Sequence, residues 1–328
     1  MYRFETNAYL RALCLLLTVA LSSLVQAEQG LITAARSDDE NLVAELLAAG
    51  ADPNTRQGDG STALHWAAHR NNGEAVQFLL GSGANPDASN ELGATPLWLA
   101  ASNGSAAVVE KLLTAGANPN ARLRMGETSL MSASRTGDLD TVSLLINAGA
   151  EIDAAEEERG QTALMWAVAQ SHRAVASMLL EHGADLNARS KVWYQLENTA
   201  GNTNPSGNYR MAHGGSSAIM FASRVGDIDT AETLLDAGAN VNDTAASGVS
   251  ALTQAAHSGH EELAIYLLER GADPNAIEAG YTPLHAAVLR SELKLVRALL
   301  EHGAAIDIPV EHGTPGRRFS ADYSIRSQ

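Results

Sequence analysis

The sequence predicts an all-α solenoid, a stack of helix-turn-helix repeats, on three observations. A Gly-Ala dipeptide recurs with its glycine at Gly50, Gly83, Gly116, Gly149, Gly183, Gly238, Gly271 and Gly303, so that every interval but one is 32 to 34 residues. A second marker runs in phase with it, beginning in each unit with Thr or Ser: Thr62-Ala63-Leu64-His65, Thr95-Pro96-Leu97-Trp98, Thr128-Ser129-Leu130-Met131, Thr162-Ala163-Leu164-Met165, Ser217-Ala218-Ile219-Met220, Ser250-Ala251-Leu252-Thr253 and Thr282-Pro283-Leu284-His285. Aromatics make up only 5% of the 328 residues while alanine and leucine are plentiful, a mix that suits closely stacked helices better than a β-sandwich. Two markers in register at a fixed period of this length are the signature of a repeat array.

Along the chain, residues 1–27 are expected to be a signal peptide rather than structure. Arg3 and Arg11 flank a short polar stretch, Ala12 to Val25 form an apolar core, and Val25-Gln26-Ala27 supplies the cleavage position. Cleavage after Ala27 would leave Glu28 at the mature N-terminus. The single cysteine, Cys14, falls inside this segment, so the mature chain would hold itself together by packing alone. The expected destination is export, to the periplasm, with the extracellular medium as the alternative. Past residue 30 the apolar runs are too short to cross a bilayer, so no membrane span is expected after cleavage.

Residues 28–57 are read as an N-terminal capping repeat. They lack the four-residue motif and carry Arg36, Asp38, Asp39 and Glu40, the polar outer face that a terminal unit needs. Residues 58–190 hold repeats 1 to 4 and residues 214–308 hold repeats 5 to 7. The last stretch, 309–328, opens another unit at Thr314-Pro315 but continues Gly316-Arg317-Arg318, and is read as a partial repeat or a tail. On that reading Leu295 and Leu299, in the last full repeat, should be less well covered than their equivalents.

Each recurring residue has a physical reason. Thr or Ser caps the first helix by accepting an orphan backbone N–H. Proline at the next position, as at Pro96 and Pro283, suits the first helical turn. Alanine pairs such as Ala67-Ala68 let neighbouring helices approach closely, and leucine pairs such as Leu179-Leu180 fill the second helix. Gly at the helix end takes the left-handed conformation of a C-cap. Asp52-Pro53-Asn54 or Asn118-Pro119-Asn120 then turns the chain into the next hairpin.

Taken together, these motifs resemble the Thr-Pro-Leu-His signature of the ankyrin-repeat family over residues 31 to 315, and the whole pattern looks like that of bacterial exported ankyrin proteins. The resemblance implies a curved solenoid that binds a protein partner through hairpin tips and the exposed ends of its first helices. The motif histidine, which in that family bonds the neighbouring loop, survives here only as His65 and His285. Met131, Met165 and Met220 replace it in middle units, which should lean more on apolar packing.

The one long interval, 55 residues between Gly183 and Gly238, places an insert at residues 191–213 in a single hairpin. Trp193, Tyr194 and Tyr209 stand there around a centre of Asn, Gly and Pro. Lys191 to Leu196 and Tyr209 to His213 are expected to pair as a stem, with the aromatics partly exposed as interface anchors.

Chemistry is hard to find. The chain has no Gly-x-Ser-x-Gly elbow, no P-loop, no dinucleotide glycine fingerprint and no His-Glu-x-x-His pair, so no catalysis, cofactor, metal or small-molecule substrate is expected. An enzymatic or metal-dependent site hidden in the insert is the alternative of a different class. A formal charge of -16 repels phosphate backbones, which disfavours nucleic acid as a partner. Trp66, Trp98 and Trp166 read as core or near-core fillers, and Glu156-Glu157-Glu158 as a solvated loop. The repeat register places His69, Arg70, Asn103, Arg135, Gln170, Arg224, His257 and Arg290 in one column at the first-helix ends, with four arginines and no carboxylate. The function expected is a non-catalytic interaction module or scaffold whose protein partner has an acidic face. The alternatives are a secreted effector that binds a host protein, and arginines that merely complement helix dipoles.

Overall fold

The computed structural model of the protein describes residues 30–198 and 208–310, except the side chains at 197, 198, 208 and 209. The expected signal segment, the centre of the insert, the Tyr209 side chain and the tail beyond 310 lie outside the described residues. The chain divides into two compact units. One holds residues up to 133 with 140–150; the other holds 134–139 and everything from 151.

In the first unit, helix α1 (30–36) and α2 (Glu40–Ala48) precede the pairs α3 (Ala63–His69) with α4 (Gly73–Gly81) and α5 (Pro96–Ser102) with α6 (Ala106–Thr114). Helices α7 (Ser129–Thr136) and α8 (Leu139–Asn147) are shared by the division. The second unit continues with α9 (Ala163–Ala169) and α10 (Arg173–Glu181), then strands β1 (Trp193–Asn198) and β2 (Asn208–His213). The pairs α11 (Ala218–Val225) with α12 (Ile228–Asp236), α13 (Ala251–Ser258) with α14 (Glu261–Glu269) and α15 (Pro283–Arg290) with α16 (Leu293–Glu301) complete it. Within each unit, first helices stack on first helices and second on second, as α3 on α5 and α11 on α13. The protein is an all-α repeat solenoid with one two-stranded insert among its described residues.

The motif residues act as their chemistry requires. The hydroxyls of Thr95, Thr128, Thr162, Ser250 and Thr282 accept the backbone N–H three residues on, at 3.1 to 3.5 Å. Two caps differ: the Ser217 hydroxyl donates to the Asp243 carboxylate, and the Thr62 hydroxyl lies 2.9 Å from His65 Nδ1. The alanines beneath the caps and the leucines of the second helices, such as Leu79, Leu112, Leu179 and Leu234, are fully buried. Met131, Met165 and Met220 are buried too, so apolar packing takes the place of the missing imidazoles. At His65 the imidazole survives: Nδ1 accepts from the Thr62 backbone N–H and Nε2 lies 3.0 Å from the Ala94 carbonyl of the next loop. Burial pushes its pKa down and keeps it neutral.

The Asx-rich turns bind repeat to repeat. Asn54 donates to the Gly83 carbonyl and accepts from the Asn85 N–H, and Asn242 does the same with Gly271 and Asp273. The spacing of about one repeat in these bonds explains why Asn follows proline so often. Two expectations are overturned. Leu295 and Leu299 are fully buried, because α14 and α15 both pack on α16; the apolar side chains left exposed at this end are Val288, Leu289, Leu293, Leu300 and Ile306. Glu156 is buried rather than solvated: its carboxylate accepts the backbone N–H groups of Glu158, Arg159 and Gln161 at 2.7 to 2.9 Å and ties the tip of its own turn.

Candidate protein-binding site

Hairpin tips of neighbouring repeats are joined by backbone bonds. In the first unit Glu91 N–H donates to Asp59 O, and Arg124 N–H to Leu92 O, at 2.9 and 3.0 Å. In the second unit the same ladder enters the insert and leaves it again: Lys191 N–H donates to Arg159 O, and Ala246 N–H to Gly214 O. The insert therefore grows out of one hairpin tip without breaking the ladder. Its neck is tight. Ser190 N–H donates to Ser216 O at 3.0 Å, Gly215 N–H donates to Ser190 O at 3.1 Å, and a Cβ built on Gly214 would sit 1.9 Å from the Lys191 carbonyl oxygen. Only glycine, held at φ 75° there, lets the two ends of the insert pass. Arg189 braces the neck from behind, pairing with Asp243 and donating to the Gly215 and Thr244 carbonyls.

From this neck β1 and β2 pair antiparallel, with Trp193 opposite His213, Gln195 opposite Met211 and Glu197 opposite Tyr209. The pleat separates the aromatics that the sequence grouped together. Trp193 stacks on His213 with ring centroids 4.3 Å apart and turns toward the repeats, whereas Tyr194 is 60% exposed on the opposite face beneath the Arg210 guanidinium. Tyr194 is thus not part of the same surface as Trp193.

Between the stem and the ends of the first helices lies a cavity of about 600 Å³. Trp166, Trp193 and Phe221 give it aromatic walls, and Arg135, Arg159, Lys191 and Arg224 surround it with positive charge. Gln161, Gln170 and Gln195 add amide groups; none of its lining residues is a carboxylate. The Arg135 guanidinium lies 5.5 Å from the Trp166 ring centroid and that of Arg224 lies 5.3 Å from Phe221, both in cation–π range. The Trp166 indole N–H is buried and meets no acceptor among the described residues, while the equivalent Trp66 donates to Gln57. Trp98 in the first unit also lacks an acceptor, so the indole alone does not define a site; the cations around Trp166 do.

The predicted column therefore splits. Arg70 Nε donates to the Arg36 carbonyl, Asn103 to the His69 carbonyl and Arg290 Nη1 to the His257 carbonyl, each satisfying the end of the preceding first helix. His69 and Asn103 are exposed, and His257 is half-buried with its pKa lowered to about 4, by burial first and then by Arg290. Arg135 and Arg224 play the opposite part. Their own carbonyls are met by His172 and His260 Nε2 at 3.0 and 2.9 Å, and their side chains turn to the cavity. Of the predicted residues, Arg135, Gln170, Trp193 and Arg224 converge; His69, Arg70, Asn103, Tyr194, His257 and Arg290 do not line this cavity. Sequence reading missed Arg159, Lys191 and Trp166. The only signal for the first two was a pair of cations at the mouth of an insert in an acidic chain.

Among the described residues, no three His, Cys, Asp or Glu side chains gather as metal ligands, and no helix is long and apolar enough to cross a membrane.

Compared with known proteins, the chain matches the model of a family described as ankyrin repeats in three copies, over residues 31–123, 108–190 and 219–311. The matched segments leave out the insert at residues 191–213. Similar proteins include the ankyrin repeat domain-containing protein SAT10 of Stachybotrys chartarum, 33% identical over 150 residues, which are 45% of this chain and 7% of that protein. The probable E3 ubiquitin-protein ligase XBOS32 of Oryza sativa subsp. japonica is 31% identical over 184 residues, 46% of this chain and 33% of that one. A putative ankyrin repeat-containing protein of Treponema pallidum is 38% identical over 92 residues, 27% of this chain and 31% of its own length. The chain thus spans a third or less of the length of each of these relatives.

Proposed function

The chain belongs to the ankyrin-repeat family, and from that premise we propose that it is an exported, non-catalytic module that holds a protein partner against the cavity between its hairpin insert and the neighbouring first helices. Ankyrin repeats are in general protein-protein interaction modules, and the fold is typically non-catalytic. The observation that carries the assignment to this cavity is its lining: four cations and three aromatics with no carboxylate, in a chain of charge -16. Aromatic and arginine side chains dominate binding energy at interfaces, above all where a pocket excludes water. Tethering by a rigid neck adds to this, since a preformed stem gives up little conformational freedom on binding.

Capture from the native cell tests this reading. The full chain should retain a partner that a deletion of residues 195–208 loses, with the helical circular dichroism unchanged. Equal capture by both would assign the partner to another surface. Export rests on residues 1–27, and the mass of the protein recovered from its cell decides it. A chain beginning at Glu28 supports export, and a retained Met1 overturns it. Recovery from periplasmic extract supports the periplasm, whereas recovery from the medium or from a host cell overturns it in favour of secretion.

A further inference from the structure

Beside the neck of the insert stands a carboxylate at a register where the other repeats have none. Five residues after each repeat glycine the sequence reads Thr55, Ala88, Ala121, Ala154, Ala188, Asp243, Ala276 and Ile308, so Asp243 is the single acid of that column. It lies in the hairpin next to the one that carries the insert. We propose that Asp243 is the positioning residue of the stem: with Arg189 and Ser217 it locks β1 and β2 in one orientation over the cavity, without lining that cavity itself. The lock stands on geometry alone, whereas its effect on the partner rests on the functional reading above.

Three observations support it. First, a carboxylate only 9% exposed persists where donors replace its water, and here the donors come from both ends of the insert. Its Oδ1 accepts from Arg189 and from the Thr244 backbone N–H, and its Oδ2 accepts from the Ser217 hydroxyl. Arg189 lies just before the insert and Ser217 just after it. Second, both partners depart from what their register does elsewhere. Thr95, Thr128, Thr162, Ser250 and Thr282 accept from their own first helices, whereas Ser217 turns its hydroxyl to Asp243. Arg56 matches Arg189 in register and donates to the Ser89 carbonyl of the next turn. Arg189 makes the equivalent bond to Thr244, then adds the Gly215 carbonyl and Asp243.

Third, the base of the stem is otherwise free to turn. Gly214 and Gly215 follow β2 at φ 75° and 65°, and glycine restrains a chain least. A two-stranded hairpin is only marginally stable alone, so its direction is set at its base. Arg189 holds the Gly215 carbonyl at 2.8 Å, and Asp243 in turn holds Arg189. The planar donor fork of a guanidinium, shared between a carboxylate and two carbonyls, leaves that side chain little freedom. Direction matters because Trp193, Gln195 and His213 are the stem's part of the cavity lining, and Trp166, Gln170 and Phe221 belong to the repeats. A lock at the base preforms the gap between them, and a preformed site loses less freedom on binding.

The test follows the stem and the partner separately. In the full chain with Cys14→Ser, nitroxide labels on Tyr194→Cys, at the outer face of the stem, and on Ala174→Cys, exposed on α10, report the stem-to-repeat distance by double electron–electron resonance. The otherwise native chain should give one narrow distance distribution. Asp243→Ala and Arg189→Met should each broaden it, and Asp243→Asn, which keeps one acceptor oxygen, should recover part of the narrow peak. Alanine fills this register in five other repeats, so Asp243→Ala should leave the helical circular dichroism and urea midpoint close to native. A distribution as narrow in Asp243→Ala as in the native chain overturns the lock. Native-cell capture reads the consequence: a stem that holds the bound orientation about a tenth of the time lowers apparent affinity about tenfold. Broadening without loss of capture overturns the positioning role. If the distribution stays narrow while the deletion of 195–208 loses the partner, the lock is wrong and the functional reading stands. If the deletion retains the partner, the functional reading is wrong, and the distance distribution alone decides the lock.

Discussion

Replacing Gly214 by alanine should damage the neck of the insert out of proportion to the size of a methyl group. The new Cβ would meet the Lys191 carbonyl oxygen at 1.9 Å, a backbone atom that cannot rotate away. Holding a non-glycine residue at φ 75° costs about 1–2 kcal/mol by itself. Relieving the clash requires the two ends of the insert to part, which strains the Ser190–Ser216 and Gly215–Ser190 bonds, each worth about 1 kcal/mol. The sum is about 3–4 kcal/mol. Gly183→Ala is the control: φ is 90° there too, but nothing lies within 4 Å of its Cβ, so only the backbone contribution of about 1–2 kcal/mol applies. Urea unfolding followed by far-UV circular dichroism measures the overall cost. Because repeats unfold partly by nearest neighbours, hydrogen exchange at the Ser190, Gly215 and Ser216 amides measures the local one. Equal costs for the two variants, or unchanged protection at the neck in Gly214→Ala, would refute the crowded neck.

Other expectations follow from single side chains. Glu156→Ala should cost about 1–3 kcal/mol by stranding the turn amides that the carboxylate now accepts, read as a lower urea midpoint; a neutral result would mean water replaces it without loss. Leu179→Ala, at a fully buried site on α10, should cost about 2–5 kcal/mol, while Leu300→Ala at the exposed end should cost far less; similar midpoint shifts would contradict the packing described. His257 has a folded pKa of about 4 against an ordinary 6.5, so the unfolded chain takes up the proton first. Its contribution is full above about pH 6.5 and is lost as pH falls toward 4, on the order of 2 kcal/mol after allowance for its partial exposure. Arg290→Met should lessen that loss only in part, since burial is the larger cause; a stability unchanged between pH 6.5 and 4 in the wild type, relative to His257→Gln, would refute it.

Most of the fold was legible because its determinants are local and repeated. The Thr or Ser cap and the Gly at each helix end serve backbone groups of their own repeat, and the Asn after proline serves backbone groups one repeat on, so spacing alone placed them. The missing imidazoles at Met131, Met165 and Met220 were legible for the same reason. What could not be read was anything set by the path of the insert. Trp166 matches Trp66 in register, with Trp98 one position earlier in its own repeat, and looked like a third filler; only the stem folding back over α9 makes it a cavity wall. Arg159 and Lys191 acquire their role from the tip-to-tip bond that brings them together. The arginine column looked uniform in sequence because register cannot tell which carbonyl each side chain meets. Tyr194 was grouped with Trp193 because adjacency along a chain says nothing of the two faces of a strand until the register is known. Glu156 was lost in a run of three acids, although only one of them turns inward.

The most direct test places a photo-crosslinking residue at Gln170, in the cavity wall, and at Ala174, exposed on α10, in the full-length protein in its own cell. A crosslink to one partner protein from position 170 and none from 174 is the expected result. Crosslinking from 174 with none from 170 would contradict the assignment of the partner to the cavity beneath the insert.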